Sequence, residues 1–283
     1  MNNKEPLVSV YICTYNRSHL LKRAIHSVLS QSYANIQIVV CSDNSTDNTD
    51  AVMEEFLQQY SNIMYFKLPV NSGACAARNK AIENSSGMYI TGLDDDDYFE
   101  EDRVKHFVDN VGLLDSYSFL STSYYMKKNS SKSVVLSEPF DFTLENILKE
   151  NLVGNQIFTL RNRVLEIGAF DIKLPAWQDY DLWIRMILRF GTAKRINVST
   201  YTIDVSHEHE RISRSDHKIK KSFNLFIEKY KDYPFFCHMK KNLILNVYAY
   251  PQVKFNFKLA LEFLKQRGIK NTLVIHAKKL KKN

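Results

Sequence analysis

Cysteine is scarce in this sequence and never paired. The four cysteines, Cys13, Cys41, Cys75 and Cys237, lie far apart and form no Cys-x-x-Cys pair. Neither a zinc site nor a disulfide framework is therefore indicated. We expect four buried free thiols instead.

Long apolar runs are missing as well. No stretch reaches the ~18 uninterrupted apolar residues that a membrane-spanning helix needs. The N-terminus, MNNKEPLVSV, does not have the basic-then-apolar layout of a secretory signal. The sequence therefore predicts a cytoplasmic protein.

Glycine-rich loops are absent where several nucleotide-binding enzymes need them. The chain has only 8 glycines, and no Gly-x-Gly-x-x-Gly follows an apolar run, which argues against a dinucleotide oxidoreductase. The first apolar run is followed by TYNRSH. A nucleotidyltransferase would usually have a Gly-rich loop there, and a haloacid-type phosphatase would have aspartates.

The charge of the chain is distributed unevenly. Its 283 residues are 45% hydrophobic and 24% charged, which is too apolar for a disordered protein. From Arg214 onward there are 17 Lys and Arg against 4 Asp and Glu, so this part carries +13 and the rest carries −6. A uniformly basic protein would suggest nucleic acid. An acidic body with a basic extension indicates a docking surface instead, and we expect no nucleic-acid partner.

Apolar runs alternate with helical patterns through the first hundred residues. The runs span 7–13, 36–41, 63–68 and 88–93, and the helical patterns begin at Ser18, near 48 and near 74. Strands that are too apolar to alternate, separated by helices of ~10–15 residues, indicate a parallel sheet covered on both faces. This part therefore predicts a doubly wound α/β fold.

The later chain changes character twice. Residues 116–205 contain both strand and helix patterns, with strand-like runs at 117–125 and 155–160 and a helix around 180–190. From about 215 the pattern becomes helical and Lys-rich, with an apolar stripe formed by Ile219, Phe223, Phe226 and Tyr230.

The acidic segment LDDDDYFEED at 93–102 follows an apolar run. A helix that starts near Tyr98 would favour acids in its first turn through the helix dipole, which accounts for residues 100–102. It accounts poorly for four consecutive aspartates, because carboxylates usually gather at a strand end to hold a divalent cation with phosphate oxygens. The segment therefore favours a metal site.

Two further polar segments follow strands, where ligands bind in parallel sheets. In SDNSTDNT at 42–49, Asp43 could accept hydrogen bonds from a base or ribose, although such residues also form turns and helix caps. In NSGACAARNK at 71–80, small residues would let a ligand approach the backbone closely. The guanidinium of Arg78 could bind a phosphate through two parallel hydrogen bonds. A surface arginine on an Ala-rich helix is the alternative.

Taken together, VSVYICTYNR, VVCSDNSTDNT, NSGACAARN and GLDDDD resemble the nucleotide-sugar half of family 2 glycosyltransferases in order and spacing. LPAWQDYDLWIR at 174–185 resembles the acceptor-side motif of the same family. Two residues depart from the pattern, since Cys13 replaces the usual proline and Gln178 replaces the first acid of a pair.

The resemblance covers about residues 7–213 and implies the GT-A fold. This fold is a Rossmann-like, doubly wound α/β structure with a mostly parallel sheet, here with a C-terminal helical extension. We expect a catalytic domain at 1–213, divided into a nucleotide-sugar half (1–115) and an acceptor half (116–213). The basic extension would then span 214–283.

The resemblance also implies the donor site. Thr14, Tyr15 and Arg17 would line the base pocket, Asp43 would contact the uracil, and Arg78 would face the ribose or diphosphate. Asp94 would hold the ribose and Asp96 the cation, Mn²⁺ or Mg²⁺. Asp95 is placed with the donor-binding residues, but its role and that of Asp97 are not separated.

On the acceptor side, Asp179 aligns with the catalytic base of the family, and a single base implies inversion. Asp181 lies two residues on and points elsewhere on a helix, so a role as a helix cap or an ion-pair partner is favoured. Trp177 and Gln178 would contact the acceptor, whereas Trp183 would belong to the core. In SHEHERIS at 206–213, His207 would complete the metal shell, with His209 and Arg211 as secondary candidates. An exposed polar loop is the alternative for this segment.

The function implied is an inverting, metal-dependent transfer of Gal or Glc from a UDP-sugar. The acceptor would be GlcNAc or GalNAc on undecaprenyl diphosphate, in a β-linkage (β-1,3 as the first choice), in surface-polysaccharide or O-antigen biosynthesis. The basic extension would hold the enzyme at the anionic inner face of the cell membrane. A nucleotidyltransferase acting on a sugar phosphate and a non-catalytic sugar-binding module are the alternatives.

Overall fold

The computed structural model describes residues 5–135, 138–154, 156–206, 215–250 and 256–280. The chain divides into two compact units. The first consists of Met1–Leu144, Leu152–Ile172 and Gln178–Glu208, and the second of Glu145–Asn151, Lys173–Trp177 and His209–Asn283. Two short segments from the body of the chain thus group with the C-terminal residues.

Strands and helices alternate through the first part of the chain, as predicted. They are β1 (Val8–Thr14), α1 (Ser18–Leu29), β2 (Ile36–Ser42), α2 (Thr49–Gln59), β3 (Ile63–Lys67), α3 (Ala74–Glu83) and β4 (Tyr89–Asp94). Each predicted run is confirmed to within about two residues.

The middle of the chain contains both strands and helices, again as predicted. Its elements are β5 (Tyr98–Phe99), α4 (Arg103–Asp109), a 3₁₀ turn (Val111–Asp115), β6 (Leu120–Lys128), β7 (Ser131–Val135), β8 (Phe140–Phe142), α5 (Leu144–Ile147), β9 (Phe158–Leu160), α6 (Arg161–Glu166), α7 (Gln178–Phe190) and β10 (Ala193–Asp204). The chain then becomes helical, with α8 (Asp216–Tyr230), α9 (Phe236–Tyr248) and α10 (Phe257–Leu280).

All ten strands of the described chain join one sheet. Its order is β3-β2-β1-β4-β9-β6-β10-β5, with β7 on β6 and β8 on β10. The β1–β2, β2–β3 and β1–β4 pairs are parallel, and β9 joins β4 in antiparallel orientation. The carboxyl ends of β1, β2 and β4 therefore meet at one edge, where the polar segments of the sequence follow.

Strand β1 is buried on both sides, which explains its unbroken apolar run. Val10 and Ile12 join a core cluster with α1 and α2 residues such as Ile25 and Met53. Tyr11 points to the opposite face because side chains alternate along a strand. It packs edge-to-face there on Phe170.

The expectation that a helix starts near Tyr98 was wrong. Residues 98–99 form the short strand β5, which pairs Tyr98 with Thr202 and Phe99 with Tyr201 of β10. Phe99 is buried in the core, so this segment gains more from the sheet than from a helix. The next helix, α4, begins only at Arg103.

The predicted burial of all four cysteines was also wrong at one position. Cys13, Cys41 and Cys75 are buried free thiols, but Cys237 is exposed. It lies in the first turn of α9, whose buried residues include Met239 and Leu243.

The second unit contains α8, α9 and α10. Ile219, Phe226 and Tyr230 of α8 are buried and Phe223 is half-buried, which confirms the predicted stripe. Helix α10 is interrupted at Gly268, whose φ of 78° lies outside the helical range. Among the described residues, no helix has the length and apolarity needed to cross a membrane.

Candidate active site

Four consecutive aspartates, Asp94 to Asp97, begin at the last residue of β4, and they divide into two accessible and two buried residues. The side chain of Asp94 is 34% exposed and that of Asp96 is 17% exposed, whereas Asp95 and Asp97 are buried. The backbone turns tightly here, since the N–H of Asp97 donates to the carbonyl of Asp94 at 3.0 Å. The four carboxylates therefore cannot share one role.

We call residues 94–97 the acidic turn. Asp95 holds this turn against the end of β1 through hydrogen bonds. Its carboxylate accepts hydrogen bonds from Thr14 Oγ1 at 2.7 Å and from Arg17 Nη1 at 3.0 Å. The same Arg17 nitrogen lies 3.3 Å from Asp96. Burial, opposed by the charge of Arg17, raises the pKa of Asp95 to about 6. Thr14 and Arg17 thus converge on the acidic turn, and Tyr15 between them is exposed.

Asp97 fastens the same turn to β10. Its carboxylate accepts from the Tyr201 hydroxyl at 2.9 Å and from the backbone N–H of Asp204 at 3.0 Å. Burial, followed by the charges of Asp96 and its neighbours, raises the pKa of Asp97 well above its ordinary value. Arg23 also links the acidic turn to β10, because it pairs with Asp204 at 2.6 Å and donates to the backbone carbonyl of Asp96.

Arg78 of α3 joins the acidic turn to α7. Its Nη2 lies 2.9 Å from Asp94 Oδ1, and its Nη1 lies 3.4 Å from Gln178 Oε1. Burial alone would lower the pKa of Arg78, but Cys13 and Asp94 raise it well above the ordinary value. This one guanidinium therefore contacts both the donor-side motif and the acceptor-side motif of the sequence.

Gln156 supports Asp94 from within the protein, and sequence reasoning missed it. Its Nε2 donates to Asp94 Oδ1 at 3.2 Å, and its Oε1 accepts from the Tyr11 hydroxyl at 3.1 Å. Its backbone carbonyl accepts from Arg103 at 2.7 Å. A lone glutamine before an apolar run carries no signal of such a role, because its partner is 62 residues away.

Asp43 lies at the same sheet edge, at the end of β2. Its two carboxylate oxygens accept from the backbone N–H groups of Ser72, at 2.6 Å, and Gly73, at 2.8 Å. Its own N–H donates to the carbonyl of Thr14 at 2.9 Å. Asp43 thus orients the segment that leads into α3, and its contact with a uracil stays a prediction.

Asp179 is the second residue of α7, directly after Gln178, and it is partly exposed. Burial is the main reason that the pKa values of Tyr11 and Cys75 are raised, and the charge of Asp179 raises them further. Arg78 lowers the same two pKa values, so Asp179 and Arg78 act on these groups in opposite directions.

The two neighbouring predictions on α7 are confirmed. Asp181 is fully buried and pairs with Arg185 at 2.7 Å, as an ion-pair partner rather than a reactive group. Trp183 is fully buried and packs on Phe119. Trp177 lies in the second unit, where it packs edge-to-face on Phe226, so its stacking on a sugar stays a prediction.

A metal ion fits the oxygen-rich turn. Among the described residues, no three His, Cys, Asp or Glu side chains are grouped so as to hold an ion by themselves. A cation that arrives with a diphosphate needs only one or two protein carboxylates, because phosphates and water complete its shell. Asp96 meets that requirement. His207, the expected further ligand, lies outside the described residues, as do His209 and Arg211.

The chain is similar to known glycosyltransferases. The model of "Glycosyl transferase family 2" matches residues 9–161. The chain is 34% identical over 273 residues to the putative colanic acid biosynthesis glycosyl transferase WcaA of Escherichia coli K12, which covers 93% of this chain and 95% of that protein. It is 32% identical over 200 residues to an Escherichia coli enzyme named UDP-Glc:alpha-D-GlcNAc-diphosphoundecaprenol beta-1,3-glucosyltransferase WfaP, covering 69% of this chain and 76% of that protein.

A solved structure agrees on the fold. The mannosyltransferase PcManGT of Pyrobaculum calidifontis, in complex with GDP-Man and Mn²⁺, superimposes with a TM-score of 0.61 at 14% identity, covering 98% of this chain and 88% of that one. The fold is therefore GT-A-like, with a mostly parallel mixed sheet, as expected from the sequence.

Proposed function

Since the chain belongs to glycosyl transferase family 2, we propose that it is an inverting glycosyltransferase that moves Glc or Gal from a UDP-sugar onto a lipid-linked sugar. The observation that carries the proposal is the double contact of Arg78. Its guanidinium touches Asp94 of the acidic turn and Gln178, the residue before Asp179. Donor and acceptor motifs that are 84 residues apart, from Asp94 to Gln178, are thereby held together.

The donor would bind at the carboxyl ends of β1, β2 and β4. Asp43, Arg78 and Asp94 all lie at this edge, which is where nucleotides bind in doubly wound sheets. Arg78 would face the ribose or diphosphate, and arginine suits phosphate because its donors form a rigid fork. Thr14, Tyr15 and Arg17 would line the base pocket. The name of WfaP supports UDP as the nucleotide.

Asp96 would hold Mn²⁺ or Mg²⁺ together with the diphosphate. When bound, the cation would neutralise the charge of the departing UDP as a Lewis acid. Asp95 and Asp97 would not take part, because their carboxylates are buried and bonded to Thr14 and to Tyr201. Their work is to hold the turn in place.

Asp179 would act as the base. In a direct displacement, its carboxylate would accept the proton of the acceptor hydroxyl while the oxygen attacks the anomeric carbon and the bond to UDP breaks. The displaced UDP leaves from the opposite face, so an α-linked donor gives a β-linked product. Gln178, held by Arg78, would fix the start of α7 and with it the position of Asp179.

The acceptor would be GlcNAc or GalNAc on undecaprenyl diphosphate, and the linkage β-1,3. The names of WfaP and of WcaA support this class of substrate and a place in surface-polysaccharide biosynthesis. The +13 charge from residue 214 onward supports attachment to an anionic membrane surface, where such an acceptor resides.

The two alternatives have less support. A nucleotidyltransferase would not need Asp179 beside a sugar acceptor. A non-catalytic module would not need Asp94 of the acidic turn and Gln178, the residue before Asp179, on one guanidinium.

A donor panel tests the proposal. The enzyme is incubated with Mn²⁺ or Mg²⁺, a GlcNAc-diphosphate-lipid acceptor, and UDP-Glc, UDP-Gal, UDP-GlcNAc or GDP-Man in turn, and the products are weighed by mass spectrometry. We expect a gain of one hexose with UDP-Glc or UDP-Gal, and none with EDTA. Transfer only from UDP-GlcNAc or GDP-Man would refute the assigned donor. Release of diphosphate in a parallel incubation with a nucleoside triphosphate and a sugar phosphate would favour the nucleotidyltransferase.

A further inference from the structure

The second half of α10, which follows Gly268, has one buried side. Thr272 is buried, and Ile275 packs against a small core that contains Leu245, Tyr248 and Phe263. This half-helix is therefore docked on its own unit through two residues spaced three apart, which lie on one side of a helix.

The opposite side of the same half-helix is apolar as well, yet exposed. Ile269, Leu273 and Val274 are 69%, 64% and 46% exposed, and Ala277 is also exposed. Spacings of four residues, from 269 to 273 to 277, place these side chains on one side of the helix. We call these four residues the α10 stripe. A contiguous exposed apolar patch of this kind marks an interaction surface.

Cations accompany the stripe. Lys270 is exposed between Ile269 and Leu273 in the sequence, and Lys265 is exposed four residues before Ile269, on the other side of the break at Gly268. The segment 257–280 contains six Lys and Arg against one acid, Glu262, and that acid lies 3.4 Å from Lys241. The stripe is thus an apolar strip in a positive field.

A lipid surface fits this combination better than a second copy of the chain does. In a symmetric dimer the same patch faces itself, so Lys270 would be buried near its own copy. Lysine is depleted from the centres of protein interfaces. A helix with lysines beside an apolar side instead lies in the headgroup region of an anionic bilayer, with the apolar side chains below the phosphates.

We infer that the α10 stripe inserts into an anionic lipid bilayer while the adjacent lysines bind the headgroup phosphates. The inference rests on the proposed function, in which the acceptor is lipid-linked. It adds to simple charge attraction, because an inserted apolar strip gives binding that high salt weakens but does not abolish.

Vesicle cosedimentation tests the inference with the full chain. Vesicles of phosphatidylglycerol and phosphatidylcholine are compared with vesicles of phosphatidylcholine alone, at low and high salt. The stripe variant is Ile269→Ser/Leu273→Ser/Val274→Ser. The matched control is Met88→Ser/Ile172→Ser, which removes exposed apolar side chains of the first unit.

We expect the stripe variant to bind anionic vesicles at least tenfold more weakly than the parent at low salt, and not to bind detectably at high salt. The control should bind like the parent. Circular dichroism and transfer to a short soluble acceptor should be unchanged in both variants, because neither touches the active site.

A dye placed on the stripe reports insertion directly. Among the cysteines only Cys237 is exposed, so Cys237→Ser/Leu273→Cys directs a polarity-sensitive label to position 273. Its emission should shift to the blue with anionic vesicles and stay unshifted with neutral ones. A blue shift that depends on protein concentration without vesicles would overturn the inference in favour of a second copy.

A charge variant separates this inference from the proposed attachment. In it, Lys278, Lys279, Lys281 and Lys282 become Gln. If the stripe variant binds like the parent while the charge variant binds weakly, insertion is refuted and electrostatic attachment stands. If both bind like the parent, both ideas fail. Absence of transfer from every UDP-sugar would refute the proposed function whatever the vesicles show.

Discussion

Gly92 of β4 is the position where one added carbon should disturb the active site most. A Cβ at this position would lie 2.5 Å from Tyr11 Cζ, 2.6 Å from the Tyr11 hydroxyl oxygen and 2.6 Å from Gln156 Oε1. The strand cannot shift easily, because Gly92 is registered against Tyr11 in the parallel pair β1–β4. Gly92→Ala must therefore push apart the two side chains that support Asp94.

Two effects determine how much Gly92→Ala should lower the free energy of unfolding. Overpacking a dense interior costs about 1–3 kcal/mol, and losing the hydrogen bond from Tyr11 to Gln156 costs about 1 kcal/mol more. Gly92→Ala should therefore lower the free energy of unfolding by about 2–4 kcal/mol. Gln156 also donates to Asp94, so kcat/KM should fall about tenfold, which corresponds to about 1.4 kcal/mol.

Urea unfolding followed by circular dichroism measures the first effect, and Gly112→Ala is the matched control. A Cβ at Gly112 meets no atom within 4 Å. Both variants lose the same backbone freedom in the unfolded chain, so this contribution cancels between them. If the two variants agree within about 0.5 kcal/mol and retain equal activity, the assigned packing around Tyr11 and Gln156 is wrong.

Three further predictions concern the charged groups. Asp96→Ala should abolish transfer and remove the metal dependence of UDP binding measured by calorimetry, and activity retained at saturating Mn²⁺ would make the acidic turn purely structural. Asp179→Asn should leave UDP affinity nearly unchanged but lower transfer ~10²–10⁴-fold, whereas the exposed Asp109→Asn should transfer normally. Burial would raise the pKa of Asp204, but hydrogen bonds from Ser206 and Arg23 lower it to about 2. The ionised form is thus favoured on folding, which stabilises the protein by about 2 kcal/mol above pH ~4, an advantage lost between pH ~4 and ~2.

Unfolding experiments on the parent and on Asp204→Asn isolate the contribution that the lowered pKa of Asp204 makes to stability. The stability difference between the parent and Asp204→Asn should shrink by about 2 kcal/mol as the pH falls from 5 to 2, and a constant difference would contradict the assigned ion pair. The comparison between variants is needed because Asp95, with its raised pKa, has the opposite dependence: its burial favours the protonated form as the pH falls through about 6.

The elements of the parallel half of the sheet could be predicted from local sequence alone. Strand β1 is apolar because it is buried on both sides, and α1 carries its apolar residues at helical spacing; both are properties of neighbouring residues. The place of Asp43, Arg78 and Asp94 at one sheet edge also follows from sequence, because each comes just after a strand or at the start of the next helix in a parallel sheet.

What each acid does was decided only by the tertiary structure. Asp94 to Asp97 are chemically identical in sequence, yet Thr14 and Arg17 hold Asp95 while Tyr201, more than a hundred residues away, holds Asp97. The same is true of the short strand at Tyr98, whose partner β10 lies just as far along the chain. Local propensity carries no information about such partners, because hydrogen bonding and burial depend on which distant segments the fold brings into contact.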